Sequence, residues 1–86
     1  MSVVVDLDVR ELSAPEPIQE ALTALRHLDR GKIIHFWHRM TPDMLMPRLS
    51  PYYYQMSEED EIHLYICHKD DEASIIKIKE LMLHWE

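Results

Sequence analysis

A single glycine in 86 residues leaves this chain without the means to build a glycine-rich phosphate cradle or a dinucleotide fingerprint, each of which needs several. One cysteine, Cys67, rules out an internal disulfide, and a reducing cytoplasm is the simplest home for such a chain. No apolar run approaches the ~20 residues of a membrane span. Met1 to Arg10 has neither the basic region nor the apolar core of a signal peptide. Basic charge is also scarce. Nine Lys and Arg face sixteen Asp and Glu, a net charge of −7, which argues against a nucleic-acid partner held by phosphate neutralisation. The deficit is uneven: residues 1–50 carry six basic and seven acidic side chains, residues 51–86 three and nine. The N-terminal part, with Arg10, Arg26, Arg30, Arg39 and Arg48, can therefore present a local positive patch. No nucleophile elbow or phosphate loop is present, so an enzyme with its own complete active site is not expected and no cofactor is implied.

What the chain does have is alternating and helical periodicity in a clear order. Val3, Val5, Leu7 and Val9 share one face of a first strand, Val4, Asp6 and Asp8 the other. Ile18, Ala21, Leu22, Leu25 and Leu28 form one apolar stripe, predicting a first helix from Pro15 to about Arg30 with Gly31 as its left-handed cap. Lys32 to His38 reads as a second strand with Ile34, Phe36 and His38 on one face and Ile33, His35 and Trp37 on the other. A strand–helix–strand unit makes the two strands parallel with a right-handed crossover. Thr41-Pro42-Asp43 has the marks of a second helix start, and Pro47 keeps that helix short or kinked. Tyr52 to Met56 and Glu61 to His68 then form an antiparallel pair around an acidic turn, with Ile62, Leu64 and Ile66 inward.

Ala73 to Trp85 reads as a last helix, with Ile75, Ile78, Met82 and Trp85 along one side. The expected class is α+β: a two-layer βαβαββ domain over residues 1–70, with a mixed four-stranded sheet and two helices on one face. The extra C-terminal helix, residues 71–86, is left to pack on this domain or on a partner subunit. Ile33, Trp37 and Tyr65 make the outer sheet face too apolar to lie bare, so that face or the last helix could also hold a homodimer together.

The joint Ser13-Ala14-Pro15-Glu16-Pro17 organises the rest. Two prolines spaced two apart fit a helix only in its first turn, where amides lack intrahelical partners. That puts Pro15 first and Ala14 at the cap, where a methyl offers nothing to the orphan donors. The result is a positively polarised opening whose own cap is empty. Because the first two strands are parallel, the joint and the His38-Arg39 pair lie on the same sheet edge, a usual ligand location. Arg10, Ala14, Glu16, His38 and Arg39 are therefore the candidate binding residues, for a small anionic ligand or a protein partner. The competing expectation is that Arg10 and Arg39 only pair with Asp8, Glu16 or Asp43 and stitch that edge together.

Leu7-Asp8-Val9-Arg10 followed by Pro15-Glu16-Pro17, a helix and a parallel strand resembles the TusA (SirA-like) sulfur-carrier fold, whose joint is Cys-Pro-x-Pro. His38, Arg39, Pro42, Leu45, Pro47 and Leu49 further resemble an uncharacterised bacterial branch with a His-Arg-x-x-Pro-x-x-Leu-x-Pro-x-Leu run. The likeness spans roughly residues 5–68 and implies a sulfur carrier's persulfide cysteine at the position of Ala14. Alanine has no thiol, so sulfur transfer from that position is impossible, and Cys67 or a partner's thiol is the alternative. Metal is a further question. His35, His63 and Cys67 with Asp6 share the outer face, and His38 lies near Met40, Met44 and Met46. None of these shows a compact ligand spacing, and they are more simply structural side chains.

Overall fold

The computed structural model describes residues 2–84. Trp85, expected on the apolar side of the last helix, lies outside the described residues. Strand β1 (Val3–Asp8) leads into helix α1 (Glu16–Arg26) and strand β2 (Lys32–His38). A 3-10 helix (Met46–Leu49), strands β3 (Tyr52–Ser57) and β4 (Ile62–His68) and helix α2 (Glu72–Leu83) follow. The four strands form one mixed sheet in the order β1-β2-β4-β3, an α+β architecture. β1 and β2 are parallel, with Asp6 opposite His35 and Asp8 opposite Trp37. β4 runs antiparallel to both β2 and β3.

Alternation decides which side chain goes to which layer. On one face Ile34, Phe36, Leu64 and Ile66 meet Ala21 and Leu25 of α1, with Val9, Leu28, Leu45 and Leu49 closing the same core. On the other, Ile33, Tyr65 and Cys67 are covered by Ile78 of α2, with Ile75, Leu81 and Met82 beside it. The C-terminal helix thus folds back over its own sheet. β4 is enclosed on both faces, every residue from Ile62 to Cys67 being buried. Edge strand β1 is the thinly covered one, its Val3 and Val5 being 56% and 43% exposed.

Two helical expectations need correction. α1 stops at Arg26, not near Arg30, because His27 turns back: its Nδ1 and the Thr23 carbonyl are 2.9 Å apart, and its amide bonds the Ala24 carbonyl. Leu28 is thereby freed to enter the core from the turn. Gly31 does adopt the left-handed region (φ 90°), but in the turn into β2, five residues beyond the helix end. The second helix, expected from Thr41, is a turn closed by the Leu45 and Met46 amides on the Pro42 carbonyl, then four residues of 3-10 helix. Pro47 disfavours α geometry at Met46 and donates no hydrogen bond, so the chain takes the tighter form that lets Leu45 and Leu49 both reach the core.

Asp71 ties the last helix to the sheet. Its carboxylate caps α2 by accepting from the Ser74 amide (3.2 Å) and hydroxyl (2.7 Å), and it accepts from the Gly31 amide at 2.6 Å. Burial opposes the charge, but these hydrogen bonds from Ser74 and Gly31 outweigh it and hold the carboxyl below its ordinary range. The folded-state pKa is thus lower than the unfolded one, so the stabilisation is present above the ordinary carboxylate range and fades as pH falls through it. Asp71→Ala is expected to lower the free energy of unfolding by about 1–2 kcal/mol at neutral pH. Urea unfolding followed by circular dichroism should show the gap to wild type narrowing below about pH 4.

Candidate functional site

The parallel pairing of β1 and β2 brings the joint against the end of β2. Pairing continues past the strand itself, the Val9 amide bonding the Trp37 carbonyl at 3.0 Å. Between the two chain segments lies a cavity of about 530 Å³, open at the surface. Ala14, His38 and Arg39 all line it, so three of the five candidate residues meet there. Its walls are mainly apolar: Leu12, Pro17, Ile18, Met40, Met44 and Leu45.

The opening is less positive than two empty helix ends would be. The cap of α1 is Pro15 and not Ala14 as expected, the helix starting one residue later at Glu16, and Pro15 makes no side-chain capping bond. The Glu16 amide is taken by the Ser13 carbonyl and the Gln19 amide by that of Pro15, while Pro17 has no N–H. Ile18 keeps the one first-turn amide with no backbone partner among the described residues. The 3-10 helix is too short to add a second polarised mouth.

His38 closes β2 with its ring edge-on to Phe36, at 5.9 Å between centroids. Its Nδ1 is buried and has no hydrogen-bond partner. Burial, helped by the adjacent Arg39 charge, lowers the imidazole pKa, so the ring is neutral at physiological pH. Arg39 itself is exposed and forms no ion pair among the described residues. An unpaired guanidinium, a neutral imidazole and an apolar wall suit a ligand that is charged or polar at one end only.

Arg10 and Glu16 are placed elsewhere. Arg10 lies on the outer sheet face, where Nε and Nη2 donate to the two Asp8 carboxylate oxygens, each at 2.9 Å, and Nη1 to Glu61 at 3.3 Å. Its guanidinium carbon sits 3.5 Å from the centre of the Trp37 ring, whose indole N–H donates to Glu61 at 3.0 Å. The Arg10 hydrogen bonds hold the Asp8 carboxyl down at about 2. For Arg10 it is the stitching role that the geometry matches. Glu16 opens the exposed flank of α1, in a separate shallow polar groove with Gln19, Glu20 and Thr23.

The outer face also holds the histidines weighed as metal ligands. Asp6 accepts from His35 Nδ1 at 2.8 Å, and His35 Nε2 lies 2.8 Å from His63 Nδ1. Since a carboxylate only accepts, His35 carries a proton on Nδ1, and one proton bridges His35 Nε2 and His63 Nδ1. Both His35 nitrogens are thus engaged, and no group of three or more His, Cys, Asp or Glu is disposed to hold a metal ion among the described residues. Burial lowers the His63 pKa, with neighbouring His35 adding to the effect. Cys67 lies on this face too, fully buried beneath α2, and burial pushes its thiol up to about 11.

The apolar walls escaped sequence reasoning. Met40 and Met44, 66% and 75% exposed, flank the Thr41-Pro42-Asp43 turn and carry the signal: large apolar side chains in a stretch without helical or strand period. Comparison with protein families, with curated proteins and with solved structures finds no match to this chain.

Burial pushes the Cys67 thiol up to about 11 and leaves it no exposed surface, so little of it is thiolate at pH 7.5. Alkylation by iodoacetamide at that pH, followed by mass spectrometry, should run at least about a hundred-fold slower in the folded protein than in concentrated urea. Equal rates in the two conditions would place the thiol at the surface.

Proposed function

We propose that this protein is a non-enzymatic binding domain whose site is the cavity at the strand–helix joint. Its ligand presents an anionic or strongly polar group to Arg39 and His38. The observation that carries the proposal is the coincidence of two features in one opening, a mainly apolar cavity of about 530 Å³ and the unpaired Arg39 guanidinium, with the His38 ring in the same lining.

The absence of an activated nucleophile in the lining favours binding over catalysis. The hydroxyls of Ser13 and Thr41 border the cavity, yet neither hydrogen-bonds His38 among the described residues. At the position where a TusA-like carrier would hold its cysteine, Ala14 contributes only a methyl. Cys67, enclosed beneath α2 on the other sheet face, is poorly placed to serve the joint in its stead. A lone buried thiol suits a reducing compartment, so we assign the domain to the cytoplasm. No helix among the described residues is long and apolar enough to cross a membrane.

The test is a titration with acetate, sulfate and inorganic phosphate, followed by 1H–15N NMR. Shift changes should centre on Ala14, Ile18 and Arg39 and spare α2. Arg39→Gln should weaken the affinity three- to ten-fold, the value of one exposed charge-assisted contact. Shifts scattered over the surface, or an affinity indifferent to Arg39→Gln, would overturn the assignment.

A further inference from the structure

We infer that the occupant of the joint cavity is a small amphipathic acid, with a single anionic head and an apolar aliphatic or aromatic body. The inference rests on the cavity being a binding site, as proposed above, and adds the chemical class of what it takes.

Size comes first. A cavity of about 530 Å³ lies well inside the ~300–1,000 Å³ range of small-molecule sites, far beyond what one inorganic ion fills. Wall chemistry then separates organic ligands. Leu12, Pro17, Ile18 and Leu45 offer no hydrogen bonds through their side chains. Met40 and Met44 are left 66% and 75% exposed at the same opening. Thioether side chains are unbranched and adaptable, and covering them with a carbon body removes apolar surface from water on both partners. A purely polar ligand such as a sugar would leave those walls wet and its own hydroxyls unmatched.

Charge sets the head. Among the described residues Arg39 is the only Lys or Arg lining the cavity, and Asp43 stands in the same wall. One cation against one nearby carboxylate, in a chain of net charge −7, accommodates one negative charge. Nucleotides and polyphosphates carry more and would need further cations. The neutral His38 ring can hold its proton on whichever nitrogen meets an acceptor, which suits a carboxylate oxygen. Leu12, Met40 and Met44 therefore take the body, while Arg39 and His38 take the head.

Calorimetric titration with acetate, hexanoate, octanoate and decanoate, each below its micelle concentration, tests this, with octanamide as the uncharged control. Affinity should rise about three- to four-fold for each added methylene until the cavity is filled. Octanoate should bind three- to ten-fold more tightly than octanamide, and Arg39→Gln should remove that preference while keeping the dependence on chain length. Ala14→Leu, at an exposed position that tolerates the larger side chain, should fill the opening and weaken octanoate at least ten-fold with an unchanged circular dichroism spectrum. Acetate and phosphate binding at the joint with no gain from chain length would overturn the amphipathic ligand and leave the anion site standing. A chain-length gain with no preference over octanamide, or octanoate binding untouched by Ala14→Leu, would also overturn it. No response at the joint to any acid or inorganic anion would overturn both.

Discussion

The parallel pairing of β1 with β2 is the constraint on which everything else in this molecule depends. Two parallel neighbours cannot be joined by a tight turn, so the chain must cross back over the sheet, and α1 is that crossover. Both strands then end at the same edge, which sets the residues after Asp8 beside those after His38. The Val9 amide on the Trp37 carbonyl carries the pairing just past β1 before the segments diverge. The cavity is the space they leave. Prolines on both sides, Pro15 and Pro17 on one and Pro42 on the other, withhold the amides that could have zipped the opening shut.

The rest of the fold supports that edge from behind. β4 is covered by α1 and the 3-10 helix on one side and by α2 on the other, so it serves two cores at once. Asp71 joins these layers, since one carboxylate caps α2 and also fixes the turn at Gly31 where β2 begins. The start of β2 is thereby anchored by the C-terminal helix, and its far end presents His38. Placement of the imidazole depends on an element that lies on the opposite face.

Much of this was legible in the sequence because strand alternation is a strict rule. The split of Ile34 and Phe36 from Ile33 and Trp37, and of Leu64 and Ile66 from Tyr65 and Cys67, followed from a period of two. The joint was legible to within one residue: two prolines at that spacing belong in the first turn of a helix, but the cap falls on Pro15 and not on Ala14. Arg10 was assigned to the wrong neighbourhood although the same alternation sets residues 6, 8 and 10 on one side, the side of Trp37. Its closeness to the joint in sequence obscured that. The end of α1 and the 3-10 helix were not legible, because both turn on tertiary demands. Leu28, Leu45 and Leu49 had to reach one core, and helical periodicity alone does not say which turn must break to allow it.

The open flank of β1 has a consequence of its own. An uncovered outer strand is a template on which another chain can add, and Val3 and Val5 make this one sticky. Beyond them along the strand stand Asp6 and Asp8. Stacking a second β1 alongside in antiparallel register would bring carboxylates to within about 5 Å of one another. Acidic gatekeepers thus protect the strand from fibril-like growth, and the His35 and Arg10 contacts that steady those two carboxylates also keep the guard in place.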